Sequence, residues 1–314
     1  MGVTAQTAAL TLGEGSTPLV VAGRLSQETG YDLHLKLEGT NPTGSFKDRG
    51  MVVAVARAVE AGARAVVCAS TGNTAASAAA YAARAGLDAV VLTPAGATAT
   101  AKRAQAVAAG ARLIELSGSF DDCLRICREL GARPGFVLVN SLNPDRIEGQ
   151  KSVVGELVEQ LGAQPDVIAL PFGGGGNVSA VTAALADARL DVRVVVGQAS
   201  ERATTWASAI RISEPAHAEH VAELVASGRI EVVTLTEEEL RDAWHRLAQE
   251  EGTFCEPASA AGLAALRQLG AGSGETAVCI LTGHGLKDTE AVERLRDDAR
   301  VVAADLAAVL EAIG

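Results

Sequence analysis

From about residue 60 onward the chain alternates short Val-rich runs with Ala-rich amphipathic runs, and this alternation restricts the fold more than any other feature. Ala65–Ala69 reads as a strand, 75–85 as a helix and 89–93 as a strand again. The pattern continues with a helix over 101–109, strand Arg112–Leu116, a helix over 120–130 and a strand over 135–139. A second block repeats it: helix 149–161, strand 167–172, a glycine run, helix 180–186 and strand 192–196. Thr236 and Glu239 are spaced as a capping box for a helix to Glu250, followed by a helix over 259–269, strand Thr276–Leu281 and a helical tail from about Ala303. Strands separated by helices pair in parallel, with the helices packed on the sheet faces. Few aromatic residues (3%), 33 glycines and abundant Ala and Val suit such packing, so the expected class is α/β.

At 314 residues the chain exceeds one ordinary core, which predicts two lobes with a cleft between them. A net charge of −11 argues against a general nucleic-acid or anionic-membrane binder. No apolar run approaches the roughly 20 residues that span a bilayer, and the first residues lack a basic stretch followed by an apolar one, so a cytoplasmic protein is expected. The cysteines, Cys68, Cys123, Cys127, Cys255 and Cys279, are odd in number and mostly flanked by apolar residues, which predicts reduced core thiols. Cys123 and Cys127 share a helix face, but no neighbouring Cys or His completes a metal site, and no metal is expected.

The chemistry concentrates in loops. Gly39, Asn41, Pro42 and Gly44 break regular structure, and a helical run resumes at Met51, which sets Lys47 near a helix start. A cation is disfavoured there, so the lysine is either driven toward the neutral nucleophile that aldehyde chemistry needs or left solvated at the surface. Ser70-Thr71-Gly72-Asn73-Thr74 follows a strand and precedes a helix, suited either to an anion such as a carboxylate or to simple capping. Gly173-Gly174-Gly175-Gly176-Asn177 lets backbone amides close round a phosphate, although no Gly-Lys-Ser/Thr follows it. Asn140 to Arg146 offers either an anion clamp or a surface arginine paired with Asp145 or Glu148. Thr282-Gly283-His284-Gly285 places a hydroxyl after the last strand, and the direction of His284 stays open between glycines. A Schiff-base lysine, an amide cup, a hydroxyl for a ring nitrogen and an anion loop together describe a pyridoxal-phosphate site.

Over nearly its whole length the chain resembles the fold type II pyridoxal-phosphate enzymes, whose architecture is that of the tryptophan synthase β chain, and among them the threonine synthases of the shorter bacterial type. The motifs that carry this are Glu14 to Leu19, Asn41 to Gly50, Ser70 to Thr74, Asn140 to Pro144, Cys255 to Ala261 and Leu281 to Asp288. The resemblance implies a two-lobed enzyme in which residues 1–53 and 148–314 form a large cofactor-binding domain and 54–147 a small α/β domain carrying the substrate-carboxylate loop. It implies that Phe46 and Lys47 both bind pyridoxal 5'-phosphate, with Lys47 holding it covalently and moving the protons. Asn73 would bond the ring hydroxyl, Gly173, Gly174, Gly175, Gly176 and Asn177 the cofactor phosphate, and Thr282 the pyridine nitrogen. Ser70, Thr71, Gly72 and Thr74 would bind the substrate carboxylate, and Asn140, Ser141 and Arg146 its phosphate. The implied reaction converts O-phospho-L-homoserine and water to L-threonine and phosphate in a homodimer, with the leaving phosphate assisting water.

Two departures stand against the family pattern. The phosphate loop commonly reads Gly-Asn-Ala-Gly-Asn, its first asparagine also reaching the substrate phosphate, whereas this chain has Gly174 there. The stretch after Gln198 is also shorter than usual. A glycine-only cup resembles those of serine and threonine dehydratases, so the alternative is a relative performing β-elimination, or replacement at Cβ or Cγ of another activated amino acid. A protein that binds the cofactor or an amino acid without turnover is less compatible with Lys47, Asn73 and Thr282 together.

Overall fold

Helices separate the strands as the alternation requires, and the strands gather into two sheets. The computed structural model describes residues 4–96, 100–270, 272–288, 291, 295 and 299–313. In chain order the elements are α1 (Ala5–Leu10), β1 (Leu19–Val21), α2 (Gly23–Thr29), β2 (Asp32–Leu37), α3 (Lys47–Glu60), β3 (Ala65–Ala69), α4 (Asn73–Ala85), β4 (Asp88–Pro94), α5 (Thr100–Ala108), β5 (Arg112–Leu116), α6 (Phe120–Gly131) and β6 (Phe136–Leu138). There follow α7 (Pro144–Gln150), α8 (Ser152–Leu161), β7 (Val167–Pro171), α9 (Gly176–Ala188), β8 (Arg193–Ala199), α10 (Ala218–Ala226), β9 (Ile230–Leu235), α11 (Glu237–Glu251), α12 (Ala261–Leu269), β10 (Thr276–Leu281) and α13 (Leu306–Ile313).

A six-stranded sheet runs β1-β2-β10-β7-β8-β9, and a four-stranded sheet runs β5-β4-β3-β6. Among the strands of the described residues, only β1 is antiparallel to its neighbour. Every residue of β3 and of β7 is buried, as expected where helices cover both faces of a parallel sheet. Because β2, β10 and β7 run the same way, as do β3 and β6, the loops after them leave from carboxyl ends, where open parallel sheets bind ligands.

One expected helix departs from its boundaries for a local reason. The helix expected over 149–161 is two helices, and the first starts earlier, at Pro144. Asn143 caps it by accepting from the Asp145 N–H, and proline suits the first turn, where its missing N–H costs nothing. Strands β1 and β2 precede the alternation, and β9, between α10 and α11, extends it beyond the strands expected from the sequence.

Two features hold α3 in place. Its Gly50 faces Gly149 of α7 so closely that a methyl group on Gly50 would lie 2.3 Å from the Arg146 carbonyl oxygen, and one on Gly149 2.2 Å from that of Arg49. The Arg49 guanidinium is buried and bonds Glu38 (2.7 Å) and Glu156 (2.6 Å), while Lys36 of β2 reaches Glu156 (2.9 Å) and the Thr17 carbonyl (2.7 Å). Burial alone would raise the Glu156 carboxyl, but the hydrogen bond and charge of Arg49, helped by Lys36, hold it at about 2.

Candidate active site

Lys47 is the first residue of α3, and the turn before it is fixed from both sides. The Asp48 carboxylate accepts from the Thr43 N–H (2.7 Å), the Thr43 hydroxyl (2.6 Å) and the Ser77 hydroxyl (2.6 Å). The Phe46 N–H donates to the Thr282 carbonyl (3.0 Å), and Ser45 bridges Gly283. The Lys47 loop is thereby zipped onto the loop after β10. The amine stands 4.3 Å over the Phe46 ring. Burial, reinforced by the nearby Arg146 cation and opposed by Glu256, brings its pKa down to about 7 from the usual 10.5. Lys47 is thus only partly open to solvent, and the solvated-lysine alternative is set aside.

The other anticipated loops converge on it. The Thr282 hydroxyl lies 3.1 Å from that of Ser259, which also accepts from the Gly283 N–H (3.1 Å). Asn73 is buried at the start of α4; its amide donates to Glu256 (2.7 Å) while its carbonyl oxygen has no partner. Ser70, Thr71, Gly72 and Thr74 are half-buried around it, and the Ser70 hydroxyl accepts from the Gly72 N–H (3.0 Å). Gly173 to Asn177 form the turn into α9. Gly175 sits in the left-handed region (φ +88°), and a Cβ there would strike His217 at 2.9 Å, so only glycine fits. The Asn177 side-chain amide is buried without an acceptor.

Arg146 settles one of the open alternatives. It is 0% exposed and pairs with neither Asp145 nor Glu148. One guanidinium nitrogen donates to the Val139 carbonyl (2.8 Å), and Nε and the other terminal nitrogen have no partner. Burial lowers its pKa to about 10. Asn140 is placed differently from a free anion ligand: its amide donates to the Ala69 carbonyl (2.8 Å) and its carbonyl oxygen accepts the Ala69 N–H (3.0 Å), locking β6 to β3 beneath the Ser70 loop. Ser141 is half-buried, with its carbonyl facing His217. His284 turns to its own loop, where Nδ1 accepts from the Leu286 N–H (3.2 Å).

Several residues at the site were assigned no role from the sequence, Glu256 among them although it lies in the motif Cys255 to Ala261. Glu256, 1% exposed, pairs with Lys102 of α5 (2.7 Å) as well as Asn73, and Lys102 donates to the Ser208 hydroxyl (3.2 Å). Arg202 donates to the Gly173 carbonyl (2.7 Å) and lies 4.5 Å over the Phe172 ring, which supports the glycine turn from behind. His217 lies between that turn and Ser141. The five thiols are free and buried, those of Cys68, Cys127 and Cys279 pushed up to about 12 by burial. No group of metal ligands occurs among the described residues.

The residue set fits a phosphorylated aldehyde cofactor: an amine of depressed pKa, a glycine turn opening a helix that side chains would block, and an unpartnered Asn73 oxygen and Asn177 amide. The family model described as pyridoxal-phosphate dependent enzyme matches residues 10–283, which places the chain in that class. A threonine synthase of Mycobacterium leprae is 46% identical over 97% of this chain and 91% of that protein, and one of Halalkalibacterium halodurans is 45% identical over 91% and 86%. The chain belongs to the threonine synthase family. Solved structures under 25% identical share the fold: maize serine racemase (TM-score 0.77, 22% identity, 98% and 94% coverage) and cysteine synthase of Entamoeba histolytica (0.79, 18%, 95% and 93%). The fold type II architecture and the pyridoxal-phosphate dependence anticipated above are both borne out.

Proposed function

We propose that the protein is a pyridoxal-phosphate-dependent lyase that converts O-phospho-L-homoserine and water to L-threonine and phosphate, by γ-elimination and then addition of water at Cβ. The cofactor, when bound, supplies the electron sink that lets protons leave Cα and Cβ. The chain's own residues do the rest. Lys47, with its pKa lowered to about 7 by burial, would hold the cofactor and, when free of it, take and return protons at Cα, Cβ and Cγ. Asn73, held by Glu256, would meet the ring hydroxyl, Thr282 the ring nitrogen, and Gly173 to Asn177 the cofactor phosphate. A hydroxyl at the ring nitrogen, unlike a carboxylate, would leave the ring a moderate electron sink. Ser70, Thr71, Gly72 and Thr74 receive the substrate carboxylate. Residues 54–147 act as the small domain that carries this loop, against a large domain of 1–53 and 148–314.

The observation that carries the reading is Arg146. A buried cation with two free donors is costly unless an anion completes it. The substrate phosphate, entering between Arg146 and the Ser141 loop, supplies that anion, and Asn140 serves by fixing the loop. On leaving, the phosphate is poised to take a proton from the attacking water. No helix among the described residues is long and apolar enough to cross a membrane. We place the enzyme in the cytoplasm as a homodimer, a state supported by the apolar residues that α13 exposes, Leu306, Val309, Leu310 and Ile313; sedimentation at one chain per particle would remove it.

Incubation with O-phospho-L-homoserine is expected to release threonine and phosphate in equal amounts, and incubation with threonine or serine to give little 2-oxo acid and ammonia. The reverse outcome assigns the protein to the dehydratases, whose glycine-only cup Gly174 resembles.

A further inference from the structure

Gly174 stands where the family's phosphate loop commonly carries the asparagine that reaches the substrate phosphate, and a histidine packs against the same turn. His217, which precedes α10, makes two contacts. Its main-chain N–H donates to the Gly174 carbonyl (3.1 Å), and its ring Nε2 lies 3.0 Å from the Ser141 carbonyl oxygen. A carbonyl only accepts, so Nε2 carries the proton. The ring is wedged between the two loops: its Cβ lies 2.9 Å from where a Cβ on Gly175 would stand, and Nε2 3.8 Å from one on Gly176.

We propose that His217 is a positioning residue for the substrate phosphate, bracing the Ser141 loop against the glycine turn so that the Leu142 main-chain amide stands in for the side chain that Gly174 lacks. The reason is the geometry of the trans peptide, in which C=O and the following N–H point in opposite directions. Turning the Gly174 and Ser141 carbonyls onto His217 points away from it the N–H of Gly175, which belongs to the cofactor-phosphate turn, and that of Leu142, which does not. Among the described residues the Leu142 N–H has no protein acceptor. The same two contacts keep carbonyl oxygens, which repel an anion, directed at donors instead of at the phosphate. Arg146 then supplies the charge and the Ser141 loop the directed donor, and one ring sets the distance of that loop from the cofactor-phosphate turn.

The proposal rests on the function given above, and its test separates the two. In the holoenzyme the cofactor phosphate already fills the glycine turn, so inorganic phosphate reports on the second anion position alone. His217→Ala is expected to raise the KM for O-phospho-L-homoserine and the dissociation constant for inorganic phosphate together, each about tenfold, while kcat falls much less. His217→Gln, whose amide N–H stands where Nε2–H does, is expected to restore both, and Gly174→Asn in the His217→Ala background to restore them in part. Unchanged KM and phosphate affinity in His217→Ala would overturn the proposal, as would an equal fall in kcat, cofactor affinity and melting temperature, which marks a merely structural residue. If wild-type enzyme releases no phosphate from O-phospho-L-homoserine, the assigned function fails, and the phosphate titration still decides the role of His217.

Discussion

Lys47 pairs two conditions that nucleophilic amines need: it is withdrawn from water, and a second cation stands near it. Both favour the neutral form, and Glu256 alone pulls the other way. In cofactor-free protein the rate at which a small aldehyde becomes reductively attached to Lys47, located by peptide mass, is expected to rise with a midpoint near pH 7. Arg146→Met removes the neighbouring cation and moves the midpoint up; Glu256→Gln removes the opposing carboxylate and moves it down. A wild-type midpoint near 10 would contradict the assignment. The same shift has a stability consequence. Between pH 7 and 10.5 the native lysine has lost its proton while the unfolded one keeps it, so this group's contribution to stability increases with pH across that window.

At the scale of elements, the placement of Arg146 beside Lys47 depends on the glycine contact between α3 and α7. Gly149→Ala is expected to destabilise the fold by about 1–3 kcal/mol, because backbone faces backbone and no side chain can give way. The same variant should move the Lys47 midpoint upward as Arg146 is displaced, and a melting temperature within a degree of wild type would contradict the close packing. How far such features are legible in sequence differs between elements. β3, buried throughout, and β10, apolar from Ala277 onward, are read to the residue, since a strand buried on both faces advertises itself. β2 alternates Leu33, Leu35 and Leu37 with polar residues, a period-two signal that lies before the strand–helix alternation starting near residue 60, and its Lys36 is buried against Glu156. The start of α7 was written in Asn143-Pro144, a cap and first-turn pair. Loops rich in glycine and hydroxyls marked the site, whereas Lys102, Arg202 and His217 did not stand out and Glu256 entered only within the motif Cys255 to Ala261, with no role of its own. Their partners lie far away in sequence, 183 residues in the case of Asn73 and Glu256, and no local pattern encodes such a pairing.

Across the whole molecule, buried charge joins parts that the two sheets separate. Lys102 on α5, which packs with the four-stranded sheet, meets Glu256, which packs with the six-stranded one. Lys102→Met leaves that carboxylate buried without its cation and is expected to cost about 3–5 kcal/mol, with most of the loss recovered when Glu256→Gln is added. Simple additivity of the two changes in urea unfolding would show that the pair does not couple the sheets. Acid is expected to act elsewhere, on the Arg49 cluster. Glu156, held at about 2 in the fold against an ordinary 4.5, stabilises the protein fully above pH 4.5 and loses that contribution as pH falls toward 2. Glu156→Gln should flatten the acid limb of the melting-temperature profile, and an unaltered limb would place the acid sensitivity in other carboxylates.

The most direct measurement follows oxygen during turnover of O-phospho-L-homoserine in 18O-labelled water. Elimination at Cγ breaks the carbon–oxygen bond, so the account predicts one labelled oxygen in the threonine hydroxyl and unlabelled phosphate. Labelled phosphate with homoserine, or 2-oxo acid and ammonia with no threonine, would contradict it.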